Sequence, residues 1–231
     1  MKSKAFRVAV TLALLFISFS LSVSAFELDV IRGGWYPWKP YQYLQKINTD
    51  RRQLTGLDVQ LFKEVFEEEL GLTLELPQVD WDIHQEDIRR GVRDVAGGAF
   101  MTPERARYAY FSAPYRSEDI ILICRRNEQN AVAMLRPEVF KQSFLNSKLR
   151  LGVVSGYYYG EEIDRFLKDP FHIGRWTPVA TDLENLQNLV DGKVDLVPMN
   201  LAVLLVTLGC FLSRLVVVRL GIKAPTFMQG L

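Results

Sequence analysis

Cysteine and histidine are scarce. The 231 residues hold two of each. No CxxC pair and no His/Cys cluster exists, so a zinc site has nothing to build from. His84 and His172 stand apart, and each reads as a surface or packing residue rather than a catalyst. GxSxG, HExxH and P-loop spacings are missing as well, so those nucleophilic, metal-hydrolytic and phosphate-binding readings have no support. Charge of one sign is not in excess: 28 basic residues face 27 acidic ones, a net charge of +1. That balance does not suggest nucleic acid or a strongly acidic partner. No metal and no cofactor is expected.

The two cysteines, Cys124 and Cys210, lie in apolar surroundings. An exported protein can pair such residues, but the apolar surroundings favour two buried free thiols. Export itself is legible at the N-terminus. Lys2, Lys4 and Arg7 precede an apolar run from Val8 to about Leu21, and Val23-Ser24-Ala25 offers small residues for cleavage. This is the pattern of a secretory signal peptide over residues 1–25, cut after Ala25. The alternative is a retained anchor, for which the apolar run is short. A periplasmic location follows as the expectation.

Strand and helix patterns alternate after that. Phe26 to Ile31 alternates apolar and polar residues, and Gly33-Gly34 breaks it. Tyr36, Trp38 and Tyr41 then form an aromatic loop stiffened by Pro37 and Pro40. Such rings line a pocket or plug a core. Leu54 to Leu70 carries Val59, Phe62, Val65, Phe66 and Leu70 at helical spacing, with acids and a lysine outside. Leu72 to Leu76 predicts a strand, Asp80 to Val92 a helix, Asp94 to Phe100 a strand and Ile120 to Cys124 another. A second section repeats the pattern: strand Leu149 to Val154, turn Ser155-Gly156, helices Tyr159 to Leu167 and Asp182 to Val190, and strand Val194 to Val197. The class is α/β, and two lobes facing one cleft are expected.

One stretch suggests chemistry. Thr102-Pro103 is a helix-start signal, and Arg105 falls in the first turn, where the helix dipole disfavours a cation. An anion would complete such a site, and a guanidinium grips a carboxylate with two parallel hydrogen bonds. Gly97-Gly98 lets a ligand approach the backbone. A capped surface helix with a solvated arginine fits the same residues. Ligands in open α/β sheets sit at the carboxyl ends of strands, and Gly97 to Arg105 lies at one.

Taken in order, several pieces resemble the family 3 extracellular solute-binding proteins, the polar amino-acid receptors of bacterial ABC importers. They are Gly56-Leu57-Asp58-Val59, Asp80-Trp81, Thr102-Pro103-Glu104-Arg105, the aromatic run to Tyr115, Gly152-Val153-Val154-Ser155-Gly156 and Gly192-Lys193-Val194-Asp195. The resemblance implies a type II periplasmic-binding-protein-like fold whose two lobes close on a small ligand. The lobes would cover residues 26–124 and 125–200, with 201–231 a return segment to the first lobe or an atypical tail. By the same resemblance Arg105 would bind the ligand carboxylate. Thr102 and the backbone near Gly98 would add hydrogen bonds, Ser155 and Gly156 would complete the anion cradle, and Tyr36 and Trp38 would pack on the ligand side chain. The family places an ammonium-binding aspartate where this chain has Asn200, and an amide brings no charge.

Leu196 to Ser213 carries no charge. A membrane span, a buried strand and helix closing the first lobe, and a tail altered by truncation or frameshift all fit, the last leaving that lobe incomplete. The expected function is capture of a small carboxylate-bearing solute for an ABC permease, by a monomer and without catalysis. An exported sensor of the same fold is the alternative. Glu104, Glu161 and Glu162 could serve an enzyme, yet each more simply serves a helix end or exposed face.

Overall fold

A computed structural model describes residues 30–126, 148–207 and 215–230 of the chain. The leader 1–25 and Cys210 lie outside the described residues.

The first half opens with strand β1 (Val30–Arg32), followed by the aromatic loop and the hairpin β2 (Tyr43–Lys46) and β3 (Arg52–Thr55). Helix α1 (Leu57–Phe62) starts just after Gly56, where Leu57 and Asp58 donate their N–H groups to Pro40 and Tyr41. Those two bonds tie the aromatic loop to the helix start. Regular α geometry ends at Phe62, and a π-helical segment, Lys63–Glu69, carries the helix on. Strand β4 (Thr73–Glu75) pairs parallel with β1. Helix α2 (Trp81–Arg89) buries Trp81, His84, Gln85 and Ile88 and leads into β5 (Val95–Ala99), whose residues are all buried.

The second half contains β8 (Leu151–Val154), α3 (Glu161–Lys168), β9 (Trp176–Val179), α4 (Asp182–Val190), β10 (Leu196–Asn200) and α5 (Leu201–Thr207). Strands β8, β9 and β10 run parallel, as expected of strand–helix–strand units. Two long strands join the halves. They are β7 (Arg116–Arg125) and β11 (Leu215–Gly230), antiparallel from Arg125↔Leu215 to Arg116↔Thr226. The sheet order is β5-β11-β7-β10-β8-β9, with the short β6 (Tyr110–Phe111) on β11. Ile121 to Cys124 are almost wholly buried at its centre.

The described part of the uncharged stretch, residues 196–207, becomes β10 and the seven-residue α5. Among the described residues no helix is long and apolar enough to cross a membrane. The last described segment is a strand of the sheet, where the sequence offered several readings. The helix expected at Thr102–Pro103 is only a 3-10 turn, Arg105–Arg107. A single turn has little dipole, so the helix-terminus argument for Arg105 loses its basis. Its position in the fold supplies another.

Candidate functional site

Seven elements and loops meet where the halves face each other. The aromatic loop brings Tyr36 and Trp38, α2 brings Trp81, and the end of β5 brings Gly98, Phe100 and, a few residues on, Arg105. Strand β7 contributes Glu118 and Ile120, the loop after β8 contributes Tyr157, Tyr158 and Tyr159, α4 contributes Asp182, and β10 contributes Asn200. The cavity they enclose is about 30 Å³, room for about two waters and not for an amino acid.

Arg105 is 8% exposed, so the solvated-surface reading is excluded. Its Nη1 donates to the Phe100 carbonyl at 3.0 Å and its Nη2 to the Gly156 carbonyl at 2.9 Å. The Trp81 ring lies 5.5 Å from the guanidinium carbon, and the Trp81 indole N–H also donates to Gly156, at 3.1 Å. Two neutral carbonyls and a ring are its partners; no carboxylate within the described residues forms an ion pair with it. Burial lowers its pKa from the usual arginine value. A cation held this way lacks the counter-charge that offsets its desolvation.

Rings form the walls. Tyr36 stacks on Trp38 at 5.5 Å between centroids and leans on Trp81 at 5.3 Å. Tyr157, from the other half, stands 6.2 to 6.3 Å from the rings of Tyr36, Trp38 and Trp81. Its ring therefore closes the space between the first-half aromatics. Gly98 has φ of +77°, and a Cβ there would stand 2.5 Å from the Trp38 ring, so only glycine fits.

A buried ion network backs the site. Arg116 bonds Asp58 and, at 2.8 Å, Glu118, and its guanidinium lies 3.8 Å from the Tyr41 ring centroid. Tyr115 donates to Asp58 at 3.1 Å and accepts from the Gly98 N–H at 2.9 Å. Thr226 of β11 donates to Glu118 at 3.1 Å. Burial pushes the Asp58 carboxyl up, against the pull of Arg116.

Of the residues expected from the sequence, Tyr36, Trp38, Gly98, Arg105 and Asn200 line the cavity; Thr102, Ser155 and Gly156 do not. The Thr102 hydroxyl accepts from the Arg105 N–H at 3.2 Å, and the Gly98 N–H is taken by Tyr115. Gly156 takes part through its carbonyl, which holds Arg105. The Asn200 side-chain oxygen accepts from the N–H groups of Ala202 and Val203 and caps α5, and its amide donates to Tyr41 at 3.5 Å. Glu118, Asp182 and Tyr157 were missed. Tyr157 had a signal in the Tyr157-Tyr158-Tyr159 run after the turn. Asp182 had none, since an acid in the first turn of a helix is ordinary.

The sequence profile of the bacterial extracellular solute-binding proteins, family 3, matches residues 31–200. The chain belongs to that family. No curated protein matches it by sequence. Among solved structures it is similar to an amino-acid ABC transporter substrate-binding protein, AbpA, from Streptococcus pneumoniae bound to L-arginine, at 19% identity and a TM-score of 0.67, covering 87% of this chain and 81% of the other. An ABC uptake transporter substrate-binding protein from Streptococcus pneumoniae with bound histidine matches at 18% and 0.68, covering 87% and 79%. A histidine kinase sensor domain with similarity to periplasmic binding proteins matches at 18% and 0.68, covering 88% and 82%. These likenesses establish the type II periplasmic-binding-protein-like fold for this family 3 protein.

Proposed function

We propose that this solute-binding protein is an exported, periplasmic receptor that captures an amino acid or a closely related carboxylate between its halves and presents it to an ABC permease. The observation that carries the reading is Arg105, a buried cavity-lining guanidinium held by carbonyls alone. A ligand carboxylate would supply the missing counter-charge through charge-assisted hydrogen bonds. Tyr36, Trp38 and Trp81 would pack on the rest of the ligand. Thr102, Ser155 and Gly156 would serve as supports of the arginine and its loop. Because the cavity is so small, entry requires Tyr157 to withdraw, which means parting the halves. Nothing in this mechanism makes or breaks a covalent bond.

The proteins with L-arginine and histidine bound support an amino-acid ligand by fold analogy. The histidine kinase sensor domain supports a second reading, an exported sensor of the same fold. A permease and ATPase encoded beside this chain favour transport, and an isolated gene favours sensing.

The test is a thermal-shift screen of the mature chain against the twenty amino acids and small organic acids. A ligand that binds only the folded state raises the melting temperature. Arg105→Met keeps the side-chain bulk and removes the charge. It is expected to erase the shift, with a loss of about 2–5 kcal/mol in binding. Near-normal affinity in this variant defeats the assignment.

A further inference from the structure

We propose that Asp182 is the anionic half of the binding site, its carboxylate taking the cationic group of the captured solute in the same cavity in which Arg105 takes the carboxylate. The inference rests on the receptor reading above. It answers the charge that Asn200 lacks, and it adds a proton to the binding event.

Asp182 is 6% exposed and lines the cavity. No described residue gives its carboxylate a hydrogen bond or an ion pair, and burial leaves it without compensation. The other buried acids near the site differ. Glu118 is held by Arg116 and Thr226, and Asp58 by Arg116 and Tyr115. Asn200 has committed its oxygen to α5. One carboxylate in the cavity thus remains unsatisfied, and one cation, Arg105, does too. They form no ion pair with each other. A zwitterion satisfies both at once, whereas a simple acid or a simple amine leaves one buried charge uncompensated.

Titratable groups near Asp182 come from several elements. Strand β7 brings Glu118, the loop after β8 brings Tyr157 and Tyr159, and the aromatic loop brings Tyr36. Burial raises all three tyrosines well above their usual range, so they stay neutral near pH 7. Lys39 and Arg52 line an adjoining groove that shares Asp182 and Trp38, and neither pairs with the carboxylate. The start of α4 favours the charged form. Burial, and then Glu118, outweigh it and push the Asp182 carboxyl up to about 7. An arriving ammonium displaces that proton to solvent. Capture therefore tightens about tenfold from pH 6 to pH 8 and releases about half a proton at pH 7.

The experiment uses the mature chain and the twenty L-amino acids, then the tightest binder and its des-amino analogue, by calorimetry in phosphate and in Tris. Wild type is expected to prefer the amino acid by more than about thirtyfold, with a buffer-dependent heat that reports proton release. Asp182→Asn is expected to lose that preference, the proton release and the pH slope, while des-amino binding stays within about threefold. Its melting temperature at pH 8 reports folding. Should the variant not fold, the wild-type heats in the two buffers decide alone. Wild-type binding without proton release, or a variant that keeps both preference and slope, overturns this inference and leaves the receptor reading intact. No binding of any amino acid overturns both.

Discussion

Arg105 and Arg116 are two buried guanidinium groups in one molecule with opposite arrangements. Arg105 is held by carbonyls and a ring; Arg116 is saturated by Asp58 and Glu118 and stacked on Tyr41. For Arg116, burial works against the charge, and Asp58, Tyr115 and Glu118 together raise its pKa nonetheless. Removing one member of a buried cluster leaves charges without partners, so Arg116→Met is expected to destabilise the fold by about 3–5 kcal/mol. Urea denaturation measures it. A loss below about 1 kcal/mol would show that the network is not structural. At Gly98 the constraint is backbone and space together. Gly98→Ala must relieve both a positive φ and a contact with Trp38, at a cost of about 1–3 kcal/mol. A shift in tryptophan fluorescence and weaker ligand binding are the expected readouts.

At the scale of elements, β11 matters most. It pairs with β7 along its length and reaches β5 through Phe227↔Ala99 and Gly230↔Val95. Thr226 on this strand holds Glu118 in the network behind the cavity. A chain ending at residue 214 would leave both β7 and β5 as unpaired edges, which invite aggregation. The expected outcome is loss of the monomer peak in size-exclusion chromatography and of cooperative melting; a soluble, cooperatively melting product would refute this role. The local reasons for β11 were hard to read. Leu215 to Val218 is apolar and mostly β-branched, but Gly221 and Pro225 interrupt the pattern, and the strand is long because β7 templates it. Helix α4 was the opposite case. Its apolar spacing and its Thr181 cap, which accepts from Glu184, were sufficient locally.

At the scale of the whole molecule, two of the buried groups, His84 and Asp182, give pH dependence of opposite signs. Burial lowers His84 to about 4, although its Nε2 contacts the Val95 carbonyl at 3.1 Å. The unfolded chain therefore binds the His84 proton first as pH falls, and the stability from this group is lost between about 6.5 and 4. Asp182 is raised to about 7, so the folded chain keeps its proton longer, and stability is lost as pH rises from about 4 to 7. The two contributions oppose each other between about pH 4 and 6.5. Asp182→Asn removes one of them. Its stability relative to wild type should grow in its favour from pH 4 to pH 7 and then level off, as read by denaturant titration across pH. A constant difference would mean that Asp182 is ionised throughout.

Periodicity and turn chemistry determined the α/β class and the order of most strands and helices, because those signals act over a few neighbouring residues; the family came from the resemblance of several short motifs taken in order. They also singled out Arg105, for which the fold supplied a different reason, since the expected helix is a single turn and the buried cavity does the work instead. Tertiary structure alone decided which polar groups would be left without partners. The Asn200 oxygen is consumed by α5, the Gly98 N–H by Tyr115, and the Asp182 carboxylate by nothing within the described residues. Hydrogen-bond satisfaction joins groups from strands and helices far apart in the chain, so no local pattern encodes it.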